Sequence, residues 1–419
     1  MKKIARILTF VLVLVLSSVI FIACEKSAQD DKNLEEVEAP VKTETPKITQ
    51  TPKITETPKI TEAPKSTVAP TITETPMVIR DISSFDLVKE MKIGWNLGNT
   101  FDATGGSGIS AETSWGNPKT TKEMIDEIKS AGFNVIRIPI TWGGHLGEAP
   151  DYIIEEVWLD RVQEVVDYAI QDDMFVIVNL HHEDWHFPSY DNLDPAKAKL
   201  TKVWEQIAKR FEGYNEYLIF EGMNEPRKFG TNVEWTGGDD ESRDVINQLN
   251  AAFVETVRKS GGNNSLRHLM IPGYAASSDK KVLDDLIVPK DDKIIISIHA
   301  YTPYNFALNE SGTSEFSSDN SNDTRDVDNL FDSLAERFIS NNIPVIIGEY
   351  GARNKDNIDA RVDWAEYYIK KASEKGIPCI WWDNGALTGD GENFGLLNRR
   401  LLKWEYPEIV EALMKGLKD

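Results

Sequence analysis

Two glutamates, Glu225 and Glu349, each follow a short apolar run of the chain, where two carboxyl groups could do chemistry together. Cleavage of a glycosidic bond needs one carboxylic acid to protonate the leaving oxygen. It also needs a second carboxylate to attack the sugar or to activate water. A cation beside this second carboxylate would keep it ionised, and Arg137 stands in another apolar run. Tyr301 could donate a hydrogen bond to the same carboxylate.

Further polar and aromatic residues stand at similar points, in or just after apolar runs: His181, His182, Asn224, His299 and Trp382. So many such positions are hard to explain as structural residues alone. Sugar rings stack on aromatic faces, and indole offers the largest face. Among the 11 tryptophans, five in predicted loops or strand ends are candidate sugar platforms: Trp115, Trp142, Trp185, Trp235 and Trp382. Trp204 and Trp364 lie in predicted helices, where core packing is expected.

The elements that position these residues alternate from about residue 85 onwards. Strands are predicted to begin near Ile93, Asn134, Phe175, Leu218, His268, Ile294, Val345 and Cys379. Most of these runs are continuously apolar, which is typical of strands buried on both faces. Amphipathic segments predict helices over Lys122–Ala131, Leu159–Asp172, Ala196–Phe211, Ile246–Ser260, Val327–Asn341 and Val362–Lys375. Gly132, Gly261 and Gly376 stand where helices should end.

Eight successive strand–helix units predict an α/β protein with a (β/α)8 TIM barrel, whose active site lies at the carboxyl ends of the strands. The alternative is an open, doubly wound sheet, which would typically have a glycine-rich phosphate loop after its first strand. Gly94-Trp95-Asn96-Leu97-Gly98-Asn99 is not such a loop, so the barrel is favoured.

Three segments taken together resemble glycoside hydrolase family 5, the clan A cellulase-type barrels. They are Gly94 to Asn99, Leu218-Ile219-Phe220-Glu221-Gly222-Met223-Asn224-Glu225-Pro226, and Ile347-Gly348-Glu349-Tyr350-Gly351. The resemblance covers roughly residues 85–415. Leu180-His181-His182 and the segment from Phe220 to Arg227 are most similar to the endoglucanase subfamily common in clostridial and rumen bacteria.

The resemblance implies a retaining mechanism, with Glu225 as acid/base and Glu349 as nucleophile. It further implies that Asn224 binds the sugar 2-hydroxyl and that Arg137 and Tyr301 orient Glu349. The remaining site residues would line the −1 subsite, which holds the sugar whose bond is cleaved: His181, His182, His299 and, as its floor, Trp382. The implied activity is that of an endo-β-1,4-glucanase on cellulose-type or mixed-linkage β-glucan, with no metal or organic cofactor.

Several other functions compete with this interpretation. A xyloglucan-specific endoglucanase or a mannanase could use the same fold. A non-catalytic glycan-binding lipoprotein is disfavoured because Glu225 and Glu349 are both present. His182-Glu183-Asp184-Trp185-His186 matches the H-E-x-x-H zinc protease signature, but that signature works only on a helix. Here it follows a predicted strand and is followed by Phe187-Pro188, which disfavours a helix.

The first 24 residues predict export. Lys2, Lys3 and Arg6 precede an apolar stretch that ends in Phe21-Ile22-Ala23-Cys24, which resembles a bacterial lipoprotein box. Residues 25–80 are predicted to be a disordered Thr/Pro-rich linker, with prolines every six residues from Pro40 to Pro76. Residues 81–419 are predicted to form the (β/α)8 catalytic domain. The protein is therefore expected to be secreted or anchored at the cell surface through Cys24, its one link to a membrane.

Charge and cysteine content restrict the partners. The 419-residue chain has a formal net charge of −22, and residues 81–419 carry all the excess acidity. Because phosphate binding needs a basic surface, a nucleic-acid partner is not expected. Two cysteines, Cys24 and Cys379, exclude a disulfide scaffold. A monomer with a β-glucan polysaccharide as its substrate is expected.

Overall fold

The computed structural model describes residues 77–389 and 391–417. The predicted leader with Cys24, and the repeat up to Pro76, lie outside these residues. Within the described ranges, no helix combines the length and the apolar character that crossing a membrane requires.

Residues 77–80, predicted as the end of the linker, already contact the barrel. Met77 N donates to Gly213 O at 2.8 Å. Arg80 forms ion pairs with Glu90 and Glu216. The chain therefore joins the barrel at a loop between a helix and the strand that follows it.

Eight parallel strands close into one barrel in chain order, with the first strand paired to the eighth. They are β1 Ile93–Leu97, β2 Val135–Ile138, β3 Phe175–Asn179, β4 Leu218–Glu221, β5 Leu269–Pro272, β6 Ile294–His299, β7 Val345–Tyr350 and β8 Cys379–Asp383. The predicted (β/α)8 barrel is confirmed, and no predicted strand start differs from the observed one by more than one residue.

The apolar runs of the strands supply two cores, one on each face of the sheet. Inside the barrel, Ile177, Ile219, Ile295 and Ile346 belong to one buried cluster. A larger cluster fills the space between the strands and the helices. Because burial of one such side chain stabilises the fold by about 1.5–3 kcal/mol, two-sided burial explains why the strands are continuously apolar.

Ten helices are described: α1 Ser84–Val88, α2 Lys122–Ser130, α3 Glu156–Gln171, α4 Tyr190–Arg210, α5 Asp240–Lys259, α6 Lys280–Asp285, α7 Tyr304–Ala307, α8 Ser321–Arg337, α9 Ile358–Glu374 and α10 Pro407–Gly416. Gly132, Gly261 and Gly376 follow α2, α5 and α9 with φ of 108°, 87° and 65°. This left-handed conformation favours glycine, so the predicted helix ends are confirmed.

Several helices begin earlier than predicted. Helix α4 begins at Tyr190 rather than Ala196, and Pro195 lies inside it. Proline has no N–H to donate, so the sequence pattern predicts that the helix begins after it. In the structure the helix includes the proline and lacks only the one hydrogen bond that this N–H would have made. Helices α3, α5, α8 and α9 also begin about a turn early or more. The first turns of α5 and α8 are polar and lack apolar periodicity, whereas those of α3 and α9 contain apolar residues, Trp158 and Ile358, that the predicted segments left out.

His268, the residue before β5, is expected to make stability depend on pH. Its Nδ1 lies 2.7 Å from Ser84 Oγ. Burial, with the charges of Lys293 and Arg267, lowers its pKa to about 3. Because a histidine in the unfolded chain titrates near 6.5, the unfolded state binds more protons below that pH, and stability falls as pH falls towards 3. At pH 5 the loss is about 2 kcal/mol.

We therefore expect His268→Asn, whose side chain can replace the contact to Ser84, to lose less stability than the wild type between pH 7 and pH 5. Urea unfolding at both pH values measures the two losses. Equal losses in the two proteins would contradict the assignment to His268.

Candidate active site

The carboxyl ends of the barrel strands surround a cleft of about 880 Å³. Eight of the predicted site residues line it: His181, His182, Asn224, Glu225, His299, Tyr301, Glu349 and Trp382. Arg137, the ninth, lies behind Glu349 and Asn224 with no exposed surface. The structure thus brings all nine residues together.

Arg137 is the buried centre of the site. Its Nε donates to Glu221 Oε2 at 2.7 Å and its Nη1 donates to Glu349 Oε1 at 2.9 Å. Asn224 Oδ1 accepts from Nη2 at 2.6 Å, and Asn96 Oδ1 accepts from Nη1 at 3.0 Å. Burial lowers the pKa of Arg137, but Glu221 and Glu349 outweigh it and raise the pKa above its usual range. One cation therefore fixes side chains from β1, β4, β7 and the β4 loop.

Glu349 follows the apolar residues of β7, and each of its carboxylate oxygens accepts a hydrogen bond. Arg137 occupies Oε1, and Tyr301 donates its hydroxyl to Oε2 at 3.0 Å. Burial raises the pKa of Glu349, against the charges of His299 and Arg137, which favour the carboxylate. Its two donors are placed to stabilise the ionised form.

Glu225 lies in the loop after β4, across the cleft from Glu349. Its Oε1 is 2.7 Å from His299 Nδ1, and its Oε2 is 3.4 Å from Arg227 Nη1. One oxygen of Glu225 lies within 4.8 Å of one oxygen of Glu349. The two carboxyl groups are therefore close enough to act on the same sugar.

His299 connects the two glutamates. Its Nδ1 is also 3.6 Å from Glu349 Oε2. Burial lowers the pKa of His299, but the charges of Glu349 and Glu225 outweigh it and raise the pKa. For Glu225, burial raises the pKa, and the hydrogen bond and charge of His299 outweigh it, with further lowering from Arg227. When no substrate is bound, a proton shared by His299 and Glu225 therefore binds preferentially to His299.

His181 and Trp382 present parallel rings to the cleft. Their ring centroids are 5.7 Å apart and their planes differ by 2°. Asn179 Nδ2 lies 3.1 Å from His181 Nδ1, which must then accept the hydrogen bond. Burial, with the charges of His182 and Arg137, lowers the pKa of His181 well below its usual range. His181 is thus a neutral imidazole that offers an Nε2–H to a ligand.

The tryptophan candidates separate by exposure. Trp142 is fully buried and donates its Nε1 to Asn179 O, so its prediction as a sugar platform is wrong. Trp185 is partly buried and bonded to Glu183. Trp115, 43% exposed, packs against His182, and Trp235, 63% exposed, lines the cleft. Position in a loop does not fix exposure, because the Trp142 ring turns inward to reach a backbone carbonyl.

Several functional positions have no predicted role. Glu221 pairs with Arg137 and also accepts hydrogen bonds from Asn179 and Ser297. Asn96 donates its amide to Gly348 O at 2.9 Å and accepts from Arg137. These are polar residues inside apolar strand runs, and that pattern is the signal by which the sequence could have identified them.

The H-E-x-x-H match does not form a helical metal site. Asp184–His186 is a short 3-10 turn after β3, and His186 is buried. Glu183 accepts backbone hydrogen bonds from Trp142 and Gly143. The segment therefore ties the loops after β2 and β3 together.

Two groups in the described part of the chain have ligand atoms close enough to hold a metal ion: Asp102, His181 and His182, and Glu225, His299 and Glu349. Asp102 already accepts backbone hydrogen bonds from Asn99 and Thr100. Oxygen and imidazole ligands of this kind suit several divalent metals. The carboxylate pair is equally suited to acid–base and nucleophilic chemistry, which needs no metal.

The polar segment from Thr302 to Arg325 forms one side of the cleft. It contains helix α7, and Tyr304, Leu308, Asn309 and Glu310 line the cleft. In the loop after β8, Glu392 also lines the cleft. Side chains from the loops after β6 and β8 therefore both line the cleft.

Glu221→Gln is expected to destabilise the fold and to impair turnover. The substitution leaves the fully buried Arg137 without one of its two carboxylates, a loss that costs about 3–5 kcal/mol for buried pairs. Loosening Arg137 also frees Glu349. Urea unfolding and kcat measure the two effects. As a control, Asp86→Asn removes the exposed pair with Lys89 and should leave stability almost unchanged, because solvent screens exposed ion pairs. A similarly small loss in Glu221→Gln would refute the structural role of the pair between Glu221 and Arg137.

Comparisons with known proteins give a consistent family. Residues 98–387 match the family model described as cellulase, glycosyl hydrolase family 5. Endoglucanase B of Neocallimastix patriciarum is 50% identical over 347 residues, which cover 81% of this chain and 73% of that protein. Cellulase/esterase CelE of Acetivibrio thermocellus is 51% identical over 341 residues, but the match spans only 41% of its length.

A solved structure has the same architecture. It is a GH5-4 broad specificity endoglucanase from Ruminococcus champanellensis with bound cellotriose. Its TM-score is 0.79 at 50% identity, and the match covers 81% of this chain and 100% of that one. The similarity therefore includes the whole of a barrel that binds a cello-oligosaccharide.

Proposed function

The chain belongs to glycosyl hydrolase family 5, and from this premise we propose that it is a retaining endo-β-1,4-glucanase with Glu225 as acid/base and Glu349 as nucleophile. The observation that carries the mechanism is the approach of the two carboxyl groups, with one oxygen of each within 4.8 Å of the other. Retaining glycosidases place these groups about 5–5.5 Å apart, whereas inverting enzymes leave about 6.5–9.5 Å for a water.

In the first step, Glu349 attacks the anomeric carbon and Glu225 gives its proton to the glycosidic oxygen as the C–O bond breaks. The leaving chain departs as an alcohol, and the sugar stays attached to Glu349 as an ester. In the second step, Glu225 takes a proton from water, which attacks the same carbon and releases Glu349. Two inversions give net retention.

The surrounding residues hold the reacting groups. Arg137 and Tyr301 keep Glu349 oriented and ionised through their hydrogen bonds to its two oxygens. Arg137 also fixes Asn224, whose amide is then free to bind the sugar 2-hydroxyl. Trp382, stacked on His181, forms the floor on which the −1 sugar rests.

The proton for the leaving oxygen reaches Glu225 from His299. In the free site the proton favours His299, whereas the first step needs it on Glu225. The hydrogen bond of 2.7 Å between His299 Nδ1 and Glu225 Oε1 provides a direct path. Bound substrate excludes water from the site, which raises the free energy of the ion pair between protonated His299 and ionised Glu225. The proton therefore moves to Glu225.

Linear β-1,4-glucan and mixed-linkage β-glucan are the proposed substrates. The cleft is lined by residues of the loop after β4 and of the segment from Thr302 to Arg325. A broad specificity relative with bound cellotriose supports an unbranched glucan as the substrate. CelE is also named an esterase, but the match spans only 41% of that protein, so its esterase activity does not bear on this chain.

We also propose that the protein works outside the cell as a monomer. Residues 1–24 serve as the export leader, with a lipid attached to Cys24, and residues 25–76 serve as a tether for the catalytic domain, because Met77 and Arg80 already contact the barrel. The prolines at six-residue intervals between Pro40 and Pro76 support an extended tether. Metabolic labelling with a radioactive fatty acid tests the anchor: Cys24→Ser should remove the label and release the protein.

The reaction is tested by reducing-end release from barley β-glucan, carboxymethyl-cellulose, xyloglucan and mannan, with proton NMR of the first products. The expected result is β-anomeric products and fastest release from a glucan. First products with the α-anomer would exclude retention. Highest activity on mannan would overturn the proposed substrate.

A further inference from the structure

A guanidinium lies beside the proposed acid/base, on the carboxylate oxygen that His299 does not contact. Arg227 Nη1 is 3.4 Å from Glu225 Oε2 and 3.2 Å from the backbone oxygen of the same residue. His299 contacts Oε1. Each oxygen of Glu225 therefore faces its own nitrogen group.

Arg227 is held in this place by the loop between β4 and α5. Its Nε donates to Glu234 Oε1 at 3.1 Å, and Glu234 Oε2 accepts from the backbone of Gly230 at 2.8 Å. The guanidinium carbon is 4.3 Å from the centroid of a Trp235 ring and 5.7 Å from that of Phe229. An anion and aromatic rings thus fix the orientation of the cation.

We propose that Arg227 is a positioning residue that, balanced by Glu234, sets the pH at which the hydrogen-bonded pair of Glu225 and His299 loses its proton. A cation beside a carboxyl group favours its ionised form, and an anion on the far side of that cation weakens the effect. Arg227 and Glu234 therefore act on Glu225 with opposite signs. This inference rests on the proposed role of Glu225 as acid/base.

Other charged and titratable groups also face Glu225 or act on it from the elements packed around it: Arg137 on β2, His182 after β3, His299 on β6, Tyr301 after β6, Glu349 on β7 and Glu392 after β8. None of them is altered by substitutions at positions 227 and 234. Differences between the variants and the wild type therefore report the pair formed by Arg227 and Glu234.

The test is the pH profile of kcat/KM with barley β-glucan, because this parameter reports the ionisation of the free enzyme. Arg227→Met keeps the length of the side chain and removes its charge. This substitution should move the alkaline limb of the profile to higher pH by about 0.5 to 1 pH unit. The shift is smaller than that expected for a fully buried ion pair, because the side chains of Arg227 and Glu225 are both partly exposed. Arg227→Lys should return the limb towards the wild type.

Glu234→Gln is the matched variant, for which the opposite shift of the alkaline limb is expected. It removes the counter-charge but keeps a hydrogen-bond acceptor for Arg227, so the alkaline limb should move to lower pH, by roughly 0.3 pH unit. A merely structural role for this loop would lower activity or stability in both variants without moving the limb in opposite directions. If Arg227→Met fails to fold, Glu234→Gln still carries the prediction.

Two results would overturn the inference. Either the alkaline limb of the kcat/KM profile stays at the wild-type pH in both variants, or it moves in the same direction in both. Failure of the proposed function is distinguished with Glu225→Gln and an aryl cellobioside that has an activated leaving group. If the alkaline limb that the wild type shows with β-glucan persists in Glu225→Gln, Glu225 is not its source. The role of Arg227 would then fail together with that of Glu225.

Discussion

Glu349→Gln is expected to lower kcat on barley β-glucan by at least about 10⁴-fold, the scale seen when a nucleophile is removed. The amide cannot form the glycosyl ester, and a glutamine keeps nearly the same volume and an acceptor for Arg137 or Tyr301. The loss should therefore appear without a large change in thermal stability. The measurement is the rate of reducing-end release at saturating substrate.

A matched control comes from the same cleft. Glu392→Gln also removes a carboxylate that lines it, but not one placed against Arg137, so most of the activity should remain. Incubation of the wild type with a 2-deoxy-2-fluoro-cellobioside that has an activated leaving group should label the peptide with Glu349. Substantial turnover by Glu349→Gln, or a label on another residue, would show that the nucleophile is elsewhere.

Glu225→Gln is expected to separate two classes of substrate. On β-glucan, whose leaving group needs a proton, kcat should fall by roughly 10²–10⁴-fold, the usual contribution of general acid catalysis. On 2,4-dinitrophenyl cellobioside the first step needs no acid, so a burst of dinitrophenol should precede slow turnover. Stopped-flow absorbance measures the burst.

The slow phase gives an independent check, because water then lacks its general base. Azide, a nucleophile that needs no base, should restore turnover of the aryl substrate and give a glycosyl azide. His299→Gln provides a comparison, since it removes the neighbour of Glu225 but keeps the carboxyl group itself. Equal losses on both substrates in Glu225→Gln, with no effect of azide, would refute the acid/base assignment.

The strands could be predicted from the sequence because burial on both faces leaves continuous apolar runs such as Ile294-Ile295-Ile296. Helix starts were harder to place. Helix α4 begins with mostly polar residues, and Pro195 follows within its second turn. Neither apolar periodicity nor helix propensity therefore marks Tyr190 as the first residue of this helix. Tertiary packing extends such helices beyond the segment that their apolar pattern defines.

The site residues could be predicted because a barrel gathers the ends of its strands at one mouth. Their partnerships could not, since they depend on the closure of the ring. Arg137 and Glu221 are far apart in the sequence, and only the pairing of β2, β3 and β4 brings them within hydrogen-bond distance. Trp142 was wrongly predicted as a platform, because the direction of its ring depends on a carbonyl from the next strand.

The attachment of the chain to the barrel has a steric consequence. Met77 and Arg80 contact the loop that leads into β4, at the amino ends of the strands, whereas the cleft lies at their carboxyl ends. The described chain therefore enters the barrel at the end opposite the cleft. Neither Met77 nor Arg80 lines the cleft, so the first described residues take up none of the space in which a glucan would bind.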